Sequence, residues 1–407
     1  MDTKIVFPEN FTESKIELPS SKSVSNRVLL IHELGKMGFG EMNWSDADDT
    51  QVLKNLLENK YEVEDCKAGG TTFRFLLALR CLQGKETILT GSPRLIERPI
   101  KPLVEALNSL GAKIEYLENF GFPPLKLKAC SLTGNEIEIS SSISSQFISA
   151  LLLIAPYLPA GLIISWKDQP VSFSYVEMTI QLMKQYGVDV IQSENSLQVS
   201  KGTYQANSFS IPTDWSAAVF FYVMAALKTN QSIHLTNIKL NSFQGDEKLL
   251  DWMQQWGVEC KVVDDGLVLV GKRIPNRDFE YDFTNTPDLA QAFAVMAAVS
   301  NRKLLLTGLS TLIGKETNRL LALKTELEKA GAEIAITHHS LEVRKGIRKE
   351  FLDKTIFNTY DDHRMVMALS LLGSSGTPVV LDDISPVSKS FPSYFKELGE
   401  MGVEVHE

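Results

Sequence analysis

Residues 105–116 read EALNSLGAKIEY, the end of an amphipathic helix, a glycine and a short alternating strand. The same plan returns in QLMKQYGVDVIQ (181–192), DWMQQWGVECKV (251–262), ELEKAGAEIAI (326–336) and ELGEMGVEVHE (397–407). Their glycines, Gly111, Gly187, Gly257, Gly331 and Gly402, follow one another at 70 to 76 residues. Each suits the position just past a helix, where the backbone turns left-handed and a Cβ is disfavoured. A weaker copy, NLLENKYEVED, lies at 55–65.

A second series interleaves with the first. Polar clusters open long apolar runs in SKSVSNRVLLI (21–31), GGTTFRFLLAL (69–79), SISSQFISALLLI (142–154), PTDWSAAVFFYVM (212–224), TPDLAQAFAVMAA (286–298) and DDHRMVMALSLL (361–372). These helices are apolar nearly all round, as a helix buried inside a domain must be. With the strands ETILTG, GLIISW and KLLLTG between them, the chain reads as six α/β repeats, grouped as two similar domains of three. If the buried helices point their N-termini one way, their positive ends gather around something strongly anionic.

Composition narrows the function. The chain has 407 residues, 44% of them hydrophobic, enough for two domains. A net charge of −9 argues against nucleic acid as a partner. No apolar stretch reaches membrane-spanning length, and MDTKIVFPENF resembles neither a signal nor a transit peptide, so a cytoplasmic location is expected. Four scattered cysteines and six histidines show no metal-ligand spacing, so neither a metal nor another cofactor is expected. The cysteines are expected to be reduced, packed thiols.

Within this acidic chain the cations are local. Lys22 and Arg27 lie among four serines in LPSSKSVSNRVLL (18–30), a helix start whose N–H groups, hydroxyls and charges suit a phosphate. Further knots are GSPRLIERPI (Arg94, Arg98), GKETNRL (Lys315, Glu316, Arg319), YDDHRM (Asp361, Asp362, His363, Arg364) and SKSFP (Lys389). Lys315 and Arg319, four apart, share a face if both are helical, a like-charge arrangement that a carboxylate or an anion must offset.

Taken in order, LPSSKSVSNR, AGGTTFRFL, GSPRLIERPI, SSISSQF, TPDLAQ, KETNR, YDDHRM and KSFPSYF resemble the 5-enolpyruvylshikimate-3-phosphate synthase family of enolpyruvyl transferases, from about residue 18 to the C-terminus. The resemblance implies an inverted α/β barrel-like fold of two domains, each with three βαβαββ units. One domain spans 21–212, and the other combines 1–20 with 213–407. The active site is expected in the cleft between them. The implied reaction moves the enolpyruvyl group of phosphoenolpyruvate to the 5-hydroxyl of shikimate 3-phosphate and releases phosphate, in the shikimate pathway to chorismate. It needs proton transfers and anion-steadying cations but no metal.

By the same resemblance the catalytic residues are Lys22, Asp288 and Glu316. Shikimate 3-phosphate contacts fall to Lys22, Ser23, Arg27, Ser144, Ser145, Gln146, Ser172, Tyr175, Asp288 and Lys315. Phosphoenolpyruvate contacts fall to Lys22, Gly70, Arg98, Gln146, Arg319, Arg364 and Lys389, and a monomer is implied. Asp288 also reads as a helix N-cap, Gly70 as a plain turn residue and His363 as a structural histidine. Ala68, Phe173, Thr311, Ile313 and Asn318 depart from the family pattern, which bears on affinity more than chemistry. Two alternatives remain: the related transferase acting on UDP-N-acetylglucosamine, against which Pro93 stands where that family carries a reactive cysteine, and a non-catalytic anion-binding homologue.

Overall fold

The computed structural model describes residues 2–139, 144–167 and 171–406. Ser141, Ser142 and Ile143 of the SSISSQF motif lie outside them. The chain forms two compact units, Met1–Ser20 with Pro212–Glu407 and Ser21–Ile211.

One sheet plan recurs five times among the described residues. A parallel pair is followed by an antiparallel pair, as in Val63–Asp65, Thr87–Thr90, Leu125–Leu127 and Ile114–Tyr116. Parallel neighbours need a crossover, and the apolar helices supply it. Gly70–Leu82 joins the pair just named, Ser145–Ile154 joins Glu136–Ile139 to Leu162–Trp166, and Ala290–Ser300 joins Phe279–Asp282 to Leu304–Thr307. His363–Ser370 likewise joins Ile356–Phe357 to Val379–Leu381. Covered by sheet and by other helices, these crossovers are buried on every side, residues 290–298 without exception.

The fifth crossover is split. Lys15–Glu17 pairs in parallel with Ser232–Thr236, and the whole 21–211 unit is inserted between them. Trp215–Leu227 is the crossover helix here, and the bridge of Ser20 to Thr213 lets the outgoing and returning chain run side by side. Thr3–Val6 sits inside another sheet, antiparallel to both Val379–Leu381 and Glu404–His406.

The unit Met1–Ser20 with Pro212–Glu407 holds three of these sheets. The 21–211 unit has two among its described residues, although its first crossover-type helix, Lys22–Gly35, is present. Residues 36–47 contain no strand. Instead the Asn43 side chain makes the bonds a neighbouring strand would make: its amide donates to the Ile211 carbonyl (2.7 Å) and its oxygen accepts the Ile211 N–H (3.0 Å). Gly38, at φ 68°, and the packing of Trp44 on His32 and Phe39 curl the segment away from an extended path.

The five repeat glycines all have positive φ, from 81° to 111°. Another glycine answers to space. A Cβ on Gly271 would lie 1.7 Å from the Ala225 carbonyl oxygen, because the Gly266–Gly271 strand runs directly beneath the end of the Trp215–Leu227 helix. Gly271→Ala is expected to cost about 1–3 kcal/mol, the range for overpacking, measured as a lowered urea midpoint at unchanged slope.

Candidate active site

In the Ser21–Ile211 unit the N-terminal halves of five helices are tied together by polar groups. Lys22 opens Lys22–Gly35 behind the Ser21 cap, and its Nζ pairs with Asp49 Oδ2 at 3.0 Å. Asp49 lies in the first turn of Asp48–Glu58, and its carbonyl accepts the Thr72 hydroxyl (2.9 Å) from Gly70–Leu82. Arg27, 2% exposed, donates from Nε to Thr179 Oγ1 (2.7 Å), from Nη1 to the Ser23 carbonyl (2.7 Å), and from Nη2 to Ser149 Oγ (3.2 Å) and the Tyr175 carbonyl (3.1 Å). All these partners are neutral, and burial pulls the guanidinium down to about 10.

Gly70 is the first residue of its helix and does not have positive φ, so no turn demands glycine there. Guanidiniums do: a Cβ would stand 2.5 Å from Arg98 Nη1 and 2.6 Å from Arg74 Nη1. Arg74 is buried, donates to the Gly70 carbonyl (2.7 Å) and lies over the Phe147 ring. Ser144 caps Ser145–Ile154 by accepting the Gln146 N–H (3.3 Å), and Ser145 is buried beside it. Ser172 is buried at φ 57°, directly ahead of the helix carrying Tyr175.

The second unit gathers the remaining predicted residues around Arg319, which is 1% exposed. Its Nε donates to Asp362 Oδ2 (2.8 Å), Nη2 to Glu316 Oε2 (2.9 Å) and Asp362 Oδ1 (3.1 Å), and Nη1 to Asp288 Oδ1 (3.3 Å). Burial lowers this guanidinium's pKa, but the three carboxylates outweigh it and hold it above its ordinary value. Asp288 also accepts from Arg364 Nη2 (3.0 Å) and faces Lys315 Nζ at 3.9 Å. Arg364 extends the network to Ser216 Oγ (2.9 Å), which donates to Asp214 (2.6 Å). Lys389 Nζ donates to the carbonyl (2.7 Å) and Oδ1 (2.5 Å) of Asp361.

Three expectations are corrected. Lys315 and Glu316 are not on a helix with Arg319: the helix is Arg319–Lys329, capped by Asn318, whose side chain accepts the Leu321 N–H (3.2 Å). Lys315 is therefore brought near Arg319 by the preceding turn, with Asp288 between the two cations. Asp288 is not a side-chain cap either; it sits in the 3-10 turn Pro287–Leu289 with its carboxylate turned to cations. The cysteines are free, but only Cys66 and Cys81 are buried, and Cys260 is exposed on the Val258–Val263 strand. His363 is buried at the first position of its helix. Two family departures have a packing reason: Phe173 is buried edge-on to Trp166, and Ile313 packs against the core.

Sequence reasoning missed several members. Asp49, Ser149 and Thr179 resemble ordinary helix residues, whereas Arg74 carried a signal as a lone cation inside FRFLLAL. Asp246 went unnoticed in SFQGDEK, yet it is 5% exposed and its Oδ1 has no hydrogen-bond partner among the described residues. Burial, then Asp288 and Asp214, push its carboxyl up to about 8 against the opposing pull of Arg364 and Lys315. Among the described residues no group of three or more His, Cys, Asp or Glu could hold a metal, and no helix is long and apolar enough to cross a membrane.

Buried helix starts that gather guanidiniums, lysines and paired carboxylates define an α/β enzyme built for anionic substrates. The model of the family described as EPSP synthase (3-phosphoshikimate 1-carboxyvinyltransferase) matches residues 32–398. A 3-phosphoshikimate 1-carboxyvinyltransferase of Bacteroides fragilis is 40% identical over 392 residues, 96% of this chain and 95% of that protein. One from Photobacterium profundum is 34% identical over 430 residues, 98% and 99% of the two chains. A solved EPSP synthase structure from Acinetobacter baumannii shares the fold over 100% of both chains at TM-score 0.76 and 19% identity. The chain belongs to the EPSP synthase family.

Removing the Arg319 side chain leaves Asp288, Glu316 and Asp362 without their shared counter-charge. Arg319→Ala is expected to lose about 3–5 kcal/mol of unfolding free energy, as for a broken buried ion pair, read by denaturant titration. Asp246 is protonated when folded and ionised when unfolded between pH 3.8 and about 8, so it makes stability fall as pH rises through that window. Asp246→Asn is expected to remove that slope, on the order of 1 kcal/mol per pH unit, in urea melts taken across the window.

Proposed function

We propose that the two clusters are the two halves of an enolpyruvyl transfer site, with the substrates drawing them together. The activity is that of the EPSP synthase family, 3-phosphoshikimate 1-carboxyvinyl transfer in the shikimate pathway. The proposed substrates are phosphoenolpyruvate and shikimate 3-phosphate, handled by a cytoplasmic monomer with no cofactor. Within it, 21–212 is the shikimate 3-phosphate domain, and 1–20 with 213–407 completes the phosphoenolpyruvate site.

The observation that carries this reading is the sharing of one guanidinium by two carboxylates: Arg319 reaches Asp288 Oδ1 at 3.3 Å and Glu316 Oε2 at 2.9 Å. Holding phosphates calls for cations and their counter-charges, but not for a group that moves a proton. A reaction that must take a proton from a hydroxyl and deliver one to a carbon does call for one. In the proposed mechanism Asp288 accepts the 5-hydroxyl proton as that oxygen attacks C2 of phosphoenolpyruvate, and the methylene carbon takes a proton from Lys22 or Glu316. The tetrahedral adduct then returns a proton from its methyl carbon and expels phosphate, leaving the enol ether. Lys22 contacts both substrates. Ser23, Arg27, Ser144, Ser145, Gln146, Ser172, Tyr175 and Lys315 hold shikimate 3-phosphate, while Gly70, Arg98, Gln146, Arg319, Arg364 and Lys389 hold phosphoenolpyruvate. The bonds of Arg319 to three carboxylates favour a contribution made chiefly by fixing Asp288 and Glu316.

Phosphate release from phosphoenolpyruvate is expected with shikimate 3-phosphate and not with UDP-N-acetylglucosamine; release with the latter alone would replace the acceptor in this reading. Small-angle scattering is expected to show a more compact particle when both substrates saturate the enzyme. Gly70→Ala is expected to raise KM for phosphoenolpyruvate by roughly ten- to a hundredfold, since displaced guanidiniums act at near-contact range. Its melting temperature should barely move, because only the far ends of two flexible side chains must shift.

A further inference from the structure

Between the Ile356–Phe357 strand and the His363–Ser370 helix the chain is gripped from two sides. Glu326, fully buried on the Arg319–Lys329 helix, accepts the Asn358 N–H at Oε2 (3.0 Å) and the Tyr360 hydroxyl at Oε1 (2.5 Å). Lys329 Nζ donates to the same Oε2 at 2.7 Å. On the other side Asp382 Oδ1 accepts both the N–H (2.9 Å) and the hydroxyl (2.8 Å) of Thr359. Beyond these anchors Tyr360 (φ 58°) and Asp361 (φ 51°) are both left-handed, two consecutive non-glycine residues in a sparsely populated region.

The strained pair has an output. It turns the Asp361 carbonyl and carboxylate together onto Lys389, and it delivers Asp362 to Arg319 and to the cap of the helix whose first turn holds Arg364. Such a conformation persists only where its surroundings over-determine it, and the Tyr360 hydroxyl is the one anchor within the strained pair that reaches Glu326. Burial first, then Glu326, pushes the phenol well above its ordinary pKa, so this donor stays protonated over the working range.

We propose that Tyr360 and Glu326 are positioning residues for phosphoenolpyruvate binding: their hydrogen bond holds the Tyr360–Asp361 turn left-handed and so fixes where Lys389 and Arg364 present their charge. The proposal rests on the assignment of Lys389 and Arg364 to the phosphoenolpyruvate subsite.

Tyr360→Phe removes one oxygen and little else. Steady-state kinetics of this variant should show KM for phosphoenolpyruvate raised about tenfold, equivalent to about 1.4 kcal/mol, with KM for shikimate 3-phosphate within about twofold of the unsubstituted enzyme. In a Lys389→Ala background the same change should add clearly less, because the Lys389 share of the effect is gone and only the share routed through Arg364 remains. The proposal is overturned if Tyr360→Phe leaves both KM values unchanged, if both rise together with a fall in melting temperature, or if its effect is undiminished without Lys389. Absence of turnover by the unsubstituted enzyme would remove the underlying substrate assignment, and this proposal with it.

Discussion

A charge cannot be taken out of water without a partner, and this molecule takes several of them out at the starts of its helices. Arg319 shows the constraint in its strictest form. At 1% exposure it depends on Asp288, Glu316 and Asp362, and they depend on it. Those residues come from a 3-10 turn, a loop and a helix cap separated by up to 74 positions in sequence, so one guanidinium sets the relative placement of three elements. A lysine ammonium, with three donors and no planar fork, could not make the paired bonds to Asp362 while also reaching Asp288 and Glu316.

Arg27 solves the same problem with different partners. Its donors end on hydroxyls and carbonyls, and its affinity for the proton falls, whereas that of Arg319 rises. The Ser21–Ile211 cluster, with Lys22, Arg27, Arg74 and Arg98 against Asp49, is the more cationic. The other cluster interleaves cations with Asp288, Glu316, Asp246 and Asp362 and suits proton movement.

Periodicity made much of the fold legible. Each repeat glycine is left-handed, and each apolar run with a polar start is a buried helix, because those signals are local. What stayed hidden depends on distant contact. Nothing in KMGFGEMNWSDA says that Asn43 will replace a strand, since its partner Ile211 lies 168 residues away. Lys315 read as helical because spacing alone cannot reveal that the helix begins at Asn318. Arg74 and Asp246 carry weight through their burial, a property of the packed chain. Gly70 needed the structure as well, because its constraint is two guanidinium tips and not a backbone angle.

The insertion of one unit within the crossover of the other has a consequence for synthesis. Thr3–Val6 is made well before its neighbours, Val379–Leu381 and Glu404–His406. At roughly 5–20 residues per second, the leading strand waits tens of seconds for them. The contiguous Ser21–Ile211 segment is by then wholly translated. The 21–211 segment can therefore meet all of its own partners before the strands that flank Thr3–Val6 have been made.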